Sequence, residues 1–208
     1  MRFEQMSVND DNLIHEKWLS RYNGLDDATR KKIDELSDAF DRGEREKYQL
    51  IKIKRSYKYP EKGDVFVIQP RCGLYFYGLV INASINNLQG QDMYVVAIFK
   101  LRTSELNDNR FTTDYSNLML PPMMVDRFYW TKGMFYNVGH IDDLGSIPSY
   151  GFYRHYYNHR FWNEFDEKIN ECPEYLSIGA ATITGVGYKV NKELIIDKSL
   201  LDFDDKDK

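Results

Sequence analysis

Hydrophobic positions change period along this chain. Up to residue 42 they recur at three- and four-residue intervals, as Leu13, Ile14, Trp18 and Tyr22, then Ile33, Leu36, Ala39 and Phe40. That spacing predicts two amphipathic helices. Asp11-Asn12 and Asp26-Asp27 offer N-caps, while Asn23-Gly24 and Gly43 offer stops. From residue 63 the pattern turns to apolar runs rich in β-branched and aromatic residues. Gly63-Asp64 predicts a turn, 65–68 a strand bounded by Pro70, 71–73 a second turn and 74–81 the returning strand. Both runs are apolar throughout, so both faces need cover, one of them from the N-terminal helices. Gly78 inside the second run predicts a bulge or a close backbone approach.

Residues 82–92 read as a polar loop and 93–99 as a third strand. The Pro121-Pro122 pair prevents a helix and sets the 118–125 run at a sheet edge. Residues 127–130 and 134–139 read as extended, with a turn at 131–133. Residues 150–157 and 160–165 read as a hairpin turning near Asn158-His159, and 177–190 as a last strand pair. Gly185-Val186-Gly187 lacks the third glycine and the following helix of a dinucleotide loop. The chain thus divides into a helical arm (1–50), a β-rich domain (51–200) and a charged tail (201–208), which is expected to fray. The expected class is mainly β (α+β overall). It is an SH3-like or related small β-barrel extended by hairpins, with an N-terminal helical arm. Trp130, Phe66, Val80 and Val96 are expected in one core.

Composition sharpens this. The 208 residues include sixteen Tyr, twelve Phe and three Trp, mostly after position 57, which fits a strand-rich second half. Cys72 and Cys172 have no CxxC spacing, so neither a disulfide framework nor a zinc knuckle is expected, and the compartment is read as reducing and cytoplasmic. The first twenty residues hold no apolar run of the secretory kind, and no stretch reaches a membrane-spanning length. The net charge of −4 argues against a protein that coats nucleic acid. Against that balance, 47–62 carries six bases and one acid, a local +5, with Tyr48, Tyr57 and Tyr59 interleaved. Single-stranded nucleic acid favours such a mixture. The expectation is instead a solvated strand, with Leu50, Ile51 and Ile53 partly alternating with the charges.

Catalytic chemistry is thin. His155 and His159 have the spacing of a helical metal pair, but Tyr156 stands where H-E-x-x-H needs glutamate, and the surroundings read as a hairpin. His140 with Asp142 and Asp143 reads as a polar loop. No serine sits in G-x-S-x-G, and neither cysteine has a histidine in local reach. No catalytic residue, metal or cofactor is therefore assigned.

Two stretches carry a resemblance. One is Gly63-Asp64-Val65-Phe66-Val67-Ile68 followed by 73–81, with Gly78 in it. The other is Leu120-Pro121-Pro122 followed by Asp126-Arg127-Phe128-Tyr129-Trp130-Thr131-Lys132-Gly133-Met134-Phe135. Over about 58–150 the chain resembles the Immunity 26 family of bacterial polymorphic-toxin systems, whose members look like "LPP" and then "NR-x-x-W-(S/T)-(R/K)-G-(Y/M)-F". The resemblance implies toxin neutralisation, and the function expected is non-catalytic: binding a cognate toxin domain, such as a nuclease, and occluding its active site, as in contact-dependent inhibition. The family label also covers an organophosphate-degrading protein. That keeps an alternative, a metal-assisted phosphotriester hydrolase drawing on His140, Asp142, His155 and His159. A nucleic-acid-binding barrel using 47–62 is the third reading. Two partner surfaces are expected. One is the helical arm with Asp26, Asp27, Asp34, Glu35 and Asp38, since 1–46 carries twelve acids against eight bases. The other is the aromatic hairpin with Tyr150, Tyr153, Tyr156 and Tyr157.

Overall fold

A computed structural model describes residues 13–106, 110–154, 160–179, 181 and 183–202. Helices α1 (Leu13–Asn23) and α2 (Asp27–Asp41) come first. They are followed by strands β1 (Asp64–Arg71), β2 (Leu74–Asn87), β3 (Gly90–Thr103) and β4 (Leu118–Val125). A short helix α3 (Phe128–Thr131) precedes β5 (Phe135–His140), β6 (Tyr150–Tyr153), β7 (Phe161–Trp162) and β8 (Tyr175–Ile178). Helix α4 (Gly185–Ile196) closes the order. The mainly β, α+β class is borne out. The sheet stays open, with strand order β4-β3-β2-β1-β5, and a second sheet runs β7-β6-β8. The proline-bearing β4 does lie at an edge.

Strand alternation divides the apolar side chains between two cores. Phe66, Ile68, Phe76, Val80, Tyr94, Val96, Ile98, Trp130 and Phe135 line one face. Val65, Val67, Tyr77, Leu79, Val95, Ala97 and Phe99 line the other, together with Leu144 and Phe152. The four expected core residues share the first. Gly78 is where a ring passes the backbone: a Cβ there would stand 2.2 Å from the tip of Phe66.

Cover for the first face comes from α4, through Val186, Val190 and Leu194, and not from the N-terminal helices. Helix α2 packs on the outside of α4, with Ile33, Leu36 and Ala39 buried, and Phe40 lies 4.6 Å from Tyr188, centroid to centroid. Helix α1 buries no residue. Arg21 holds it in place through two hydrogen bonds to Glu193, at 2.8 and 2.6 Å, and Lys192 sits 3.6 Å above the Trp18 ring.

Four expectations about elements are corrected. The 177–190 strand pair is β8 followed by a helix. Gly187 lies against the 48–50 backbone, where a Cβ would stand 2.4 Å from the Tyr48 carbonyl, and Asn191 one turn later donates to that same oxygen at 2.9 Å. The glycine is a packing requirement and not a break in the helix. Residues 128–131 form a helical turn, entered through Asp126, whose carboxylate accepts from Phe128 N at 2.7 Å. The 82–92 loop is mostly strand, since β2 and β3 run on as a polar ribbon with Asn87 opposite Gly90. The basic stretch forms no strand. Ile51 N, Ile53 N and Ser56 N donate to Gln69 O, Gly133 O and Trp130 O at 2.8, 2.7 and 3.0 Å. Those acceptors lie on β1 and around α3, so no continuous ladder can form, and 51–62 crosses the body as an extended strap.

Candidate functional site

The motif residues at the start of β1 meet those after β4 in one polar chain. Gly63 (φ +94°) begins it, where a Cβ would stand 2.3 Å from Ile141 O, so only glycine fits the turn. This sets the next residue, Asp64, opposite His140 in the β1–β5 register. The Asp64 carboxylate is buried and accepts three hydrogen bonds. His140 Nδ1 donates at 2.9 Å, Asn137 Nδ2 at 2.6 Å and Glu61 N at 3.0 Å. Asn137 Oδ1 in turn accepts from the indole N–H of fully buried Trp130 at 2.7 Å. Asp142 Oδ1 lies 3.6 Å from His140 Nε2. The bond to Asp64 raises the imidazole pKa above its ordinary value, and the charges of Asp64 and Asp142 push the same way. A cleft of about 220 Å³ opens beside His140, walled by Val65, Tyr77, Phe111 and Val138.

An Asp–His pair can orient a general base. Here every acceptor position that Asp64 uses is taken by the chain itself, and no hydroxyl or thiol partner of His140 is found among the described residues. The arrangement ties the turn at 61–64 to β5 and α3. Asn137 is its one member that the sequence does not single out, because an asparagine in an aromatic strand carries no local signal.

The other motif residues seat the strap. Gly133 (φ +80°) would carry a Cβ 3.0 Å from the Lys54 carbonyl carbon. Arg127 lies 3.9 Å above the Tyr59 ring, and Pro60 is buried. Pro121 and Pro122 lie in edge strand β4. Pro121 also borders a cleft of about 460 Å³ beneath α1, shared with Trp18, Ile178 and Lys192.

The expected partner surfaces fare unequally. Asp26 caps α2 by accepting from Thr29 N, Asp27 pairs with Arg30, and Asp34 accepts from Tyr22 OH at 2.8 Å. Asp38 lies 3.9 Å from Arg42, and Glu35 is exposed. Tyr153 is buried, with Phe161 6.5 Å away, centroid to centroid, which corrects its placement on an exposed face. Half-buried Tyr150 donates to Glu164 at 2.6 Å, and burial, together with that bond, pushes the phenol pKa well up. Strands β6 and β7 do pair as a hairpin. Its tip, with Tyr156, Tyr157, His155 and His159, lies outside the described residues. Among the described residues no group of three or more His, Cys, Asp or Glu could hold a metal ion, and no helix is long and apolar enough to cross a membrane. Cys72 and Cys172 are both exposed and free.

No curated protein and no solved structure matches the chain. A family model does: that of Immunity protein 26, over residues 61–163. The matched span runs from the turn before Asp64 to just past β7. It takes in the whole five-stranded sheet, α3 and the Trp130–Asn137–Asp64–His140 chain. Through this span the protein belongs to the Immunity protein 26 family.

Proposed function

We propose that the protein binds a cognate bacterial toxin domain in the cytoplasm and neutralises it by occluding the toxin's active site, with no catalysis of its own. The observation that carries this reading is the Immunity protein 26 match across the main sheet. The way the matched span uses its polar residues supports it. Asp64, Asn137 and Trp130 bond to one another and to the backbone, which rigidifies a platform, and no hydroxyl or thiol stands poised beside His140 among the described residues. A rigid platform with charged, solvent-facing connections suits a binder, because little conformational entropy is lost on docking. The system is of the polymorphic-toxin or contact-dependent kind, and the toxin's class is to be read from the activity that is blocked.

The test is co-expression of this gene with the toxin gene encoded beside it. Cells should survive with both and die with the toxin alone. Purified protein should inhibit the toxin at one-to-one stoichiometry, and substrate should compete with it. Full protection by a protein that never binds the toxin would overturn the reading, as would inhibition that substrate cannot relieve.

A further inference from the structure

The strap presents an unusual surface. Lys52, Lys54, Arg55, Lys58 and Lys62 are all exposed, and Lys132 stands beside them on the α3 turn. Within the chain they are weakly engaged. Lys58 lies 3.6 Å from Glu61, and Lys54 lies 5.9 Å from the centre of the Tyr136 ring. No other ion pair involves them among the described residues. Large apolar groups are exposed among them: Tyr57 is 70% exposed, Phe128 59%, Tyr59 53% and Ile51 40%.

This surface is also held still. Three backbone hydrogen bonds, the Gly133 contact, buried Pro60 and the Arg127–Tyr59 stack fix its path. A fixed strap with free cations and exposed rings combines rim charge with hot-spot residues at low ordering cost. Burying those ammonium groups against an apolar or basic face would be costly, so the partner must supply carboxylates.

We propose that the 51–62 strap, with Phe128 and Lys132 beside it, is the surface that docks the toxin, and that the toxin meets it with an acidic face. This rests on the function proposed above and adds the surface and the partner's chemistry. Carboxylate clusters line many hydrolytic active sites, which is how a cationic strap could plug one. Carboxylates are favoured over nucleic acid by two observations. The whole chain is acidic, at −4, and one face of Tyr59 is already covered by Arg127, which leaves Tyr57 as the freer stacking ring.

The experiment measures association of the catalytically inactivated neighbouring toxin with wild type and with Lys52→Glu/Arg55→Glu/Lys58→Glu, at low and high salt. The triple variant should associate at least about tenfold more slowly at low salt, with a flatter salt dependence. The neutral Lys52→Gln/Arg55→Gln/Lys58→Gln variant should fall between, which covers the case of a misfolded reversal. A Glu35→Lys variant in α2 should associate like wild type or faster. If wild type binds the toxin and the variants associate at its rate, the strap is not the docking surface, while the proposed function stands. If wild type does not bind, both fall. If the variants instead lose retention of a single-stranded oligonucleotide and keep toxin binding, the surface is a nucleic-acid site and the proposal is overturned.

Discussion

The strap and helix α2 are both charged, both solvent-facing and both precede the main sheet in sequence. They differ in what their charges do. On α2 most of the acids are committed: Asp26 caps the helix, Asp27 faces Arg30, Asp34 receives the Tyr22 hydroxyl and Asp38 faces Arg42, while Glu35 is exposed. On the strap the cations are mostly uncommitted. A surplus counted along the sequence measures charge that exists. Only the pairing shows charge that is free to meet another molecule, and exposed pairs already made contribute little to either stability or recognition. The strap is also anchored by its backbone, whereas α2 is held by its apolar stripe on α4. The strap's cations are therefore at liberty while its path is not.

Substitutions can separate the two regions. The largest effect is expected at Trp130, which is fully buried, hydrogen-bonded to Asn137 and the source of a carbonyl that holds the strap. Trp130→Ala should cost about 3–5 kcal/mol in denaturant unfolding, and a loss below about 1 kcal/mol would show the ring is not a core support. Gly133→Ala should cost about 1–3 kcal/mol, since it puts a side chain at positive φ against the strap backbone. Hydrogen exchange makes this a clean comparison. The amides of Ile53 and Ser56 should lose protection while those of α2 keep theirs. Equal loss in both would mean the regions are not independent.

Protonation gives two smaller effects of opposite sign. His140 has a raised pKa in the folded chain, so its contribution is fully present below the ordinary value of 6.5 and is lost as pH rises through the folded value. Stability should therefore decline across that interval, and His140→Gln should remove the decline. Glu44, just after α2, is held down to about 2 by its bonds to Arg42 and Lys47. Its contribution is present above the ordinary 4.5 and fades as pH falls toward 2. Carboxyl NMR titration should find Glu44 ionised at pH 3, and a midpoint near 4.5 would show the pairs do not persist in solution.

How far the chain could be read beforehand depended on whether local pattern and tertiary need agreed. They agree in β1 to β4, where every second residue serves one core, and at Gly78 and Gly63, where a backbone demand shows as glycine. They disagree in α4, whose two glycines and β-branched residues argue against a helix. Its stability comes from packing on the sheet and on Tyr48, which a local pattern cannot express. Aromatic content likewise makes Arg127 to Trp130 read as strand, although Phe128–Thr131 forms a helical turn. In the site, Asp64, Arg127, Trp130 and Gly133 carried a signal through the family resemblance. Asn137 and the Tyr59 stack did not, because both depend on elements far apart in sequence.

The Gly187–Asn191 clasp on the Tyr48 carbonyl bears on biosynthesis. The helix that shields one side of the central sheet is translated after all eight described strands, and the segment it grips is translated before any of them. While the ribosome is still making β8, the nascent chain has a complete sheet with an unshielded greasy side. Such intermediates collect chaperones and invite self-association. Only when α4 emerges can it reach back across the intervening strands, so this cover is added after the strands it shields and not along with them.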